Sequence, residues 1–307
     1  MSASVDVTRS TVLSRTGTEP VEMRAEQGLA FVRELASLVS AKQIELPSYP
    51  EAALRVQRTL GDPNADSERI ARVIGSEAVL AARVIGMANS FAFNPAGARV
   101  ADLRSAVQRI GFDALRSATF AFAVAQLRKA AAYRELEQQL RALWRESTAM
   151  AAAALVLARR LRRVTPDTAM LAGLLSGVGK LYILTRAKQY PAVFADAVNF
   201  DAVVRDWHPS VARTILESWG MPESVVDAVA DFVVASQEQR SRVTLADYVA
   251  VAALLAHGAE APELLPAQLA ADRAALRLGI NGEMCGALLQ EMSTELDTLR
   301  SAIQESR

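Results

Sequence analysis

The amino-acid sequence predicts an all-α protein, and three observations support this fold class. Nearly a fifth of the residues are alanine, which has the highest helix propensity because it loses no side-chain rotamer freedom. The alternation of apolar and polar residues that marks a half-buried strand is nearly absent. Apolar residues instead recur at helical spacing between glycines and prolines, as in Arg69–Ala88 with Ile70, Val73, Ile74, Leu80, Val84, Ile85 and Ala88.

The elements of the first half follow in order along the chain. Residues 1–23 are polar and predict a disordered tail, and the first helix is predicted over Arg24–Ser40. Five more helices are predicted between residues 47 and 128, several with an N-cap residue in place. Their starts lie near Ser48, Asp66, Ser76, Ala101 and Asp113.

A break at Gly111 between the last two of these helices is similar to a helix-turn-helix. The second helix of that pair, Ala114–Val124, is too apolar to present polar side chains to base edges. A helical hairpin inside a bundle is therefore favoured over a DNA-reading element.

The second half is predicted to be helical as well. A long helix over Tyr133–Arg163 precedes helices at Thr168–Leu184, Ser210–Trp219 and Glu223–Ala235, and residues 242–307 form a last helical block. The last block is expected either to pack back onto the domain or to mediate self-association, giving a homodimer.

The long helix ends in four cations, Arg159, Arg160, Arg162 and Arg163. Positive charge at a helix C-terminus is favoured by the helix dipole, which makes a solvated end the preferred interpretation. A patch that binds anions or nucleic acid is the alternative.

Composition excludes several classes of function. The 34 Lys and Arg residues balance 34 Asp and Glu residues, so there is no overall field for collecting DNA or an anionic membrane. The single cysteine, Cys285, excludes an intramolecular disulfide framework and a cysteine-built zinc cluster. Residues 1–20 lack the apolar core of a signal peptide, and no uncharged apolar window is long enough for a membrane span. A soluble cytoplasmic protein without a membrane segment is expected.

The segment Gly173-Leu-Leu-Ser-Gly-Val-Gly-Lys-Leu181 contains the glycines and lysine of a phosphate loop but not their spacing. A phosphate loop has four residues between its first glycine and the Gly-Lys pair, followed by Ser or Thr. Here five residues separate Gly173 from Gly179, and Leu181 follows Lys180. The segment also lies in an apolar helix, which argues against a phosphate loop.

The same segment resembles the "GLLHDIGKL" helix of HD-superfamily proteins, with Ser176 and Gly177 at the positions of His and Asp. Leu143–Ser147, Trp207–Ala212 and Leu216–Pro222 resemble other motifs of that superfamily. An ordered upstream set resembles the N-terminal half of the HDOD domain, the HD-related output domain of bacterial signalling proteins: Leu46–Pro50, Leu60–Pro63, Ala71–Ile74, Leu80–Arg83, Ala88–Ser90 and Ala106–Gly111.

The resemblance implies a two-lobed HDOD fold over residues 24–236, with an N-terminal helical lobe at 24–130 and a degenerate HD-like lobe at 131–236. Residues 237–307 are a C-terminal helical extension. Catalytic HD domains bind metal ions through His and Asp side chains, and the metal ions activate water to attack phosphate esters. The matching positions here carry Glu146, Ser176, Gly177 and His208, with Phe232 and Val233 near the terminal His-His of active relatives. One histidine and one carboxylate fall short of a three-ligand site, which predicts no metal, no cofactor and no catalysis.

The resulting hypothesis is a non-catalytic signalling module that binds a partner protein, or a small nucleotide, and passes on a conformational change. Its expected ligand site is the former active-site cleft, lined by Glu146, Ser176, Lys180 and His208. The alternative is a metal-dependent phosphohydrolase or cyclic-dinucleotide phosphodiesterase with a remodelled site. A DNA-binding regulator is a third hypothesis, which the balanced charge disfavours.

Single residues also have structural interpretations. His208 precedes Pro209 at a predicted helix start, where it is expected to cap the helix or to pair with a carboxylate. His257 is predicted to interact with a helix C-terminus. Lys180 is predicted to extend from its helix into solvent, and Asn89 to close a helix or bond to a loop. Buried or half-buried packing roles are predicted for Trp144, Trp207, Trp219 and Cys285.

Overall fold

The structure is a computed structural model, and it describes residues 21–44, 51–90, 93–94, 97–190 and 197–304. Within those ranges the chain is helical and contains no strand, which confirms the predicted all-α class. The helices of the first half are α1 Val21–Ser40, α2 Glu51–Gly61, α3 Ser67–Gly75, α4 Ala78–Asn89, α5 Leu103–Ile110 and α6 Phe112–Lys129.

A 3₁₀ turn at Ala131–Leu136 leads into the second half. Its helices are α7 Glu137–Leu161, α8 Pro166–Leu175, α9 Val178–Ala187, α10 Ala197–Ser218 and α11 Glu223–Ala235, followed by α12 Leu245–Gly258, α13 Leu265–Ala271, α14 Arg273–Leu278 and α15 Cys285–Gln304, with a 3₁₀ turn at Gly282–Met284 before α15.

Helix starts in the first half follow local capping chemistry. The side chains of Asp66 and Asp102 accept hydrogen bonds from the backbone N–H groups of Arg69 and Ser105, both at 2.8 Å, which satisfies donors that the helix leaves unpaired. The predicted start near Ser48 lies outside the described residues. Residues 1–20 of the predicted tail lie outside them too, whereas residues 21–23 belong to α1.

Helix α1 packs across onto the second half of the chain. Its Phe31 and Leu35 are buried, and the Phe31 ring lies 5.2 Å from that of Tyr190. The hydroxyl of Tyr190 donates to Glu34 at 2.5 Å, and Arg186 of α9 forms an ion pair with the same carboxylate. The first described helix therefore contributes to the core around α9 and α10.

The two lobes meet at a pair of glycines. A Cβ atom on Gly61, at the end of α2, would lie 2.9 Å from the backbone of both Trp219 and Gly220. Gly220 has a φ of 65°, a conformation that residues with a side chain rarely adopt. The backbones of the two lobes can approach this closely only because neither position carries a side chain.

Helix α7 is the central element. Residues from Ser147 to Ala158 along it are almost all buried, and α8, α12 and α15 pack against it. The small alanine side chains of this stretch allow that many neighbours around one helix. The 237–307 extension thus packs back onto the domain, and the buried apolar side chains form one continuous cluster from Phe31 to Met292.

The Pro166–Ala187 segment, comprising α8 and α9, is long and apolar enough by composition to cross a membrane. The prediction excluded only uncharged apolar windows, and this segment contains Asp167, Lys180 and Arg186. Of its most apolar window, 83% is buried inside the protein, where it packs against α7 and α10. Burial of this kind is typical of a core helix.

Candidate functional site

The structure brings together Glu146 and Lys180, two of the four predicted site residues. Glu146 lies on α7 and Lys180 near the start of α9, and the Lys180 Nζ atom is 3.1 Å from Glu146 Oε2. Lys180 was predicted to extend into solvent, and that prediction is wrong because its ammonium group is paired across the two helices. Both side chains remain about one third exposed.

Ser176 is buried in the turn between α8 and α9. Its hydroxyl donates to the carbonyl of Gly173 at 2.7 Å and lies 3.1 Å from the sulfur of Met150. The predicted helix Thr168–Leu184 is therefore two helices, broken at Ser176 and Gly177. The side chain is used for local structure and is not presented to a ligand.

Three glycines explain why this motif packs so tightly. A Cβ on Gly173 would lie 2.6 Å from the carbonyl oxygen of Met150, and one on Gly179 would lie 2.6 Å from that of His208. A Cβ on Gly177 would lie 2.7 Å from side-chain atoms of both Leu143 and Ser147. The glycines thus allow α8 and α9 to approach α7 and α10, and an aspartate at position 177 would displace two side chains.

His257 is a member of the site that sequence reasoning missed. It lies at the end of α12, where its Nδ1 donates to the carbonyl of Ala253 at 2.7 Å and its Nε2 lies 3.4 Å from Glu146 Oε1. The sequence indicated only a helix C-terminus at this point, and nothing local indicates a partner on α7. The C-terminal extension therefore supplies a second partner to Glu146, which is cationic when His257 is protonated.

The charge of Glu146 is held by its two partners. Burial alone would raise the pKa of this carboxyl, but the hydrogen bond with His257 and the nearby ammonium of Lys180 together lower the pKa to about 2. The same contact with Glu146 raises the pKa of His257, against the opposing effect of burial. Glu146 is thus an ionised carboxylate whose partners are side chains.

His208 is buried beside this cluster. Within the described part of the chain its Nε2 atom has no hydrogen-bond partner, and its ring meets the edge or face of Phe232 at 6.1 Å between centroids. Burial lowers the pKa of His208 to about 4, although the backbone of Val229 acts in the opposite direction. His208 is therefore a neutral imidazole near neutral pH.

The predicted helix start at His208 is wrong, because His208 and Pro209 lie inside α10. A proline inside a helix lacks the N–H that would bond four residues back, which favoured a boundary at this point. The helix nevertheless begins at Ala197 and continues to Ser218. Burial of its apolar face outweighs the missing hydrogen bond.

The residues at this centre do not fit a metal ion. Ser176 is a neutral donor already engaged, Gly177 has no side chain, and Phe232 offers only an apolar ring. No group of three or more His, Cys, Asp or Glu side chains suited to a metal occurs in the described ranges. Hard and borderline cations need several imidazole or carboxylate ligands.

Other predicted features take structural roles. Asn89 exchanges two hydrogen bonds with the backbone of Val100, at 2.7 and 2.9 Å, which confirms its bond to a loop. Cys285 and Trp219 are buried. The helix after Gly111 packs its apolar residues into the core, as expected of a helical hairpin.

The arginine cluster at the end of α7 divides into two pairs. Arg159 and Arg160 form ion pairs with Glu295 and Glu291 of α15. Arg162 and Arg163 are exposed and form no ion pair with any acid in the described residues. The sequence could not show this division, because the partner acids lie at the far end of the chain.

Comparison with known proteins gives the fold a family. A family model of the HDOD domain matches residues 46–232. A candidate metal-dependent phosphohydrolase of Shewanella amazonensis is 24% identical with a TM-score of 0.70, covering 91% of this chain and 100% of that chain. An HDOD domain protein of unknown function from Geobacter sulfurreducens is 23% identical with a TM-score of 0.57, covering 92% of this chain and 99% of that chain.

Two further matches agree with this. A candidate signal transduction protein of Marinobacter aquaeolei is 21% identical with a TM-score of 0.56, over 91% of this chain and 66% of that chain. An uncharacterized protein of Treponema pallidum is 22% identical over 213 residues, which are 64% of this chain but only 39% of that relative. The resemblance seen in the sequence motifs is confirmed, and the chain belongs to the HDOD domain family.

Proposed function

We propose that the protein is a non-catalytic regulatory module that acts by binding a signalling partner or a small ligand. One observation carries this proposal: the Glu146 carboxylate, at the position of a metal ligand in catalytic HD domains, is paired with Lys180 and His257. A divalent cation at Glu146 would be repelled by the ammonium group of Lys180, and by His257 when that side chain is protonated. The remaining positions of the centre offer a buried neutral imidazole, a hydroxyl in a local hydrogen bond and a glycine.

The family and its solved relatives support the signalling part of the proposal. The HDOD match covers more than half of the chain, and the Marinobacter aquaeolei protein of the same fold is named for signal transduction. Likeness of fold does not transfer an activity. The regulatory role therefore depends on the site itself, whose side chains are suited to binding a partner or a ligand.

The competing function is metal-dependent phosphate ester hydrolysis, and the unpartnered Nε2 of His208 is the one observation that favours it. The full chain should be assayed with Mn²⁺, Mg²⁺, Fe²⁺ and Ni²⁺ on bis(p-nitrophenyl) phosphate and on cyclic di-GMP. We expect no turnover above the protein-free blank. Turnover that EDTA abolishes, and that His208→Ala also removes, would overturn the non-catalytic proposal.

Thermal unfolding gives a second measurement of the same centre. We expect the unfolding temperature to be the same with EDTA and with added MnCl₂, because no donor set is available for the ion. Lys180→Met should lower the unfolding temperature, since the substitution leaves the partly buried Glu146 with only one of its two partners. Arg72→Met is the matched control, because Arg72 pairs with Glu68 on the exposed face of α3.

The regulatory part is tested in cells of the source organism. A deletion strain should lose a transcriptional or behavioural output that the wild-type gene restores, and purified protein should capture a defined partner that binds again in isolation. If deletion changes no output and no partner binds the purified chain, the regulatory proposal is wrong.

A further inference from the structure

A concave pocket lies where α7 ends and α8 begins. It has a volume of about 610 Å³ and is lined by Ala158, Arg159, Arg162, Arg163, Val164, Thr165 and Pro166. Three of these seven residues are arginines, and none is acidic. A volume of this size is within the range of small-molecule sites.

The two unpaired arginines distinguish this pocket from an ordinary charged helix end. Arg159 also lines it, but its guanidinium is held by Glu295. Arg162 and Arg163 have no ion-pair partner among the described acids, in a chain whose charges balance overall. Asp167 also interacts electrostatically with Arg159.

Arg162 occupies a backbone conformation that disfavours arginine. It follows α7 with φ 54° and ψ 30°, the left-handed region in which helices usually place glycine. Together with Arg159 and Arg163, Arg162 lines one concavity at this turn of the chain. Arginine guanidinium groups bind phosphate oxygens in pairs of parallel hydrogen bonds.

The start of α8 adds to the positive potential of the pocket. Thr165 is its N-cap residue but makes no capping hydrogen bond, because its hydroxyl lies 2.5 Å from that of Thr168 instead. The backbone N–H groups of the first turn therefore lack a side-chain cap. These donors lie within a few residues of Arg162 and Arg163 along the chain.

The arginine pocket continues into a second, larger cleft. Val164 and Thr165 line both, and the second cleft has a volume of about 730 Å³. Its walls carry hydroxyl groups, three carboxylates and two further cations: Thr168, Ser224, Asp227, Asp231, Glu238, Arg240, Arg242 and Thr244. Arg240 is paired with Glu238 and Asp247, so the cleft suits an uncharged, hydrogen-bonding group better than a second anion. Asp227 and Asp231 are both paired with Arg213, at 2.8 and 3.1 Å.

From these features we propose that the junction of α7 and α8 binds a nucleotide, with its phosphates among Arg159, Arg162 and Arg163 and its nucleoside in the adjoining cleft. The concave shape and the balanced net charge of the chain favour a small ligand over duplex DNA. The proposal deepens the ligand-binding part of the proposed function, and it moves the expected ligand away from the former metal centre.

The test is binding of inorganic pyrophosphate and of the fluorescent nucleotide mant-GDP to the full chain in buffer with EDTA. Metal-dependent hydrolysis cannot run under these conditions, so the result is independent of whether the protein is catalytic. We expect both probes to bind, and pyrophosphate to displace mant-GDP. Arg162→Gly and Arg163→Gln should each weaken binding by about tenfold or more, since each removes a charged hydrogen-bond donor.

Arg162→Gly keeps the test independent of folding, because glycine suits the backbone conformation at this position. The matched control is Arg141→Gln, which removes an exposed arginine from the other end of α7 and should leave binding unchanged. Absence of binding by either probe, or equal binding by the variants and the wild type, would overturn the proposal. Tighter binding of duplex DNA than of mant-GDP, lost in the same variants, would overturn it in favour of nucleic acid.

Discussion

The buried imidazole of His208 should make the stability of the protein depend on pH. Its pKa is lowered by burial to about 4, from an ordinary value of 6.5, so the folded state disfavours the charged form. The unfolded chain takes up this proton first as the pH falls. Stability is therefore complete above about pH 6.5 and is lost progressively as the pH falls towards 4.

The size of the effect follows from the two pKa values. A shift of one unit corresponds to about 1.4 kcal/mol, so the full loss from His208 is about 3 kcal/mol at pH 4. About 2 kcal/mol of it should be lost already at pH 5. That pH lies above 4.5, the ordinary pKa of Glu146, so protonation of this carboxyl in the unfolded chain contributes only a small loss there.

The assay is guanidinium unfolding of the wild type and of His208→Leu at about pH 7.5 and at about pH 5. The wild type should lose about 2 kcal/mol more than the variant between the two conditions. Groups shared by both proteins, including His257 with its raised pKa, cancel in this comparison. His208→Gln serves as a second variant if the leucine form does not fold.

Equal pH dependence in the wild type and the variants would refute the reasoning. It would mean that His208 can be protonated in the folded state at no cost. The ring would then be accessible to solvent, and the interpretation of the former metal centre as a packed interior would be wrong.

Two substitution pairs test the packing of the motif and of the extension. Gly179→Ala should cost about 1–3 kcal/mol of stability, because its Cβ would meet the backbone of the facing helix. Gly28→Ala should instead stabilise the protein by about 0.5–1 kcal/mol, because a Cβ at that position meets no atom within 4 Å. Equal effects of the two substitutions in denaturant unfolding would contradict this reasoning. Arg277→Met should cost about 1–3 kcal/mol, since Arg277 bonds to the fully buried Asp247 at 3.0 Å from Nε and its loss leaves Arg240 as the other cation on that carboxylate. Arg273→Met, at an exposed position of the same helix, is its control, and a loss no larger than the control's would show that the ion pair does not hold the extension.

Helix class and order could be predicted because they depend on local properties. The predicted start near Asp66 succeeded because its carboxylate caps the next N–H groups, and Glu223–Ala235 was predicted with the bounds observed. The break at Gly177 was missed because it depends on contacts with Leu143 and Ser147 of another helix. Composition within the segment predicts one continuous apolar helix.

Only some residues of the candidate site could be predicted from the sequence. Motif resemblance located Glu146 and Lys180, which the structure pairs at 3.1 Å. It could not locate His257, because the contact depends on how α12 packs against α7. The division of the arginine cluster was hidden for the same reason, since Glu291 and Glu295 approach it only through α15.

The two candidate sites are connected by the same pair of helices. Helix α7 carries Glu146 in its middle and ends at the arginine pocket, whereas α12 begins beside the adjoining cleft at Thr244 and ends at His257. These helices pack against each other along their length. A ligand that draws the ends of the two helices together at the pocket acts on their packing, and this packing sets the distance between Glu146 and His257. The ligand changes that distance only if it binds one arrangement of the helices more tightly than the other. If a ligand binds at the arginine pocket, as proposed, the contact between Glu146 and His257 responds to it from the middle of α7.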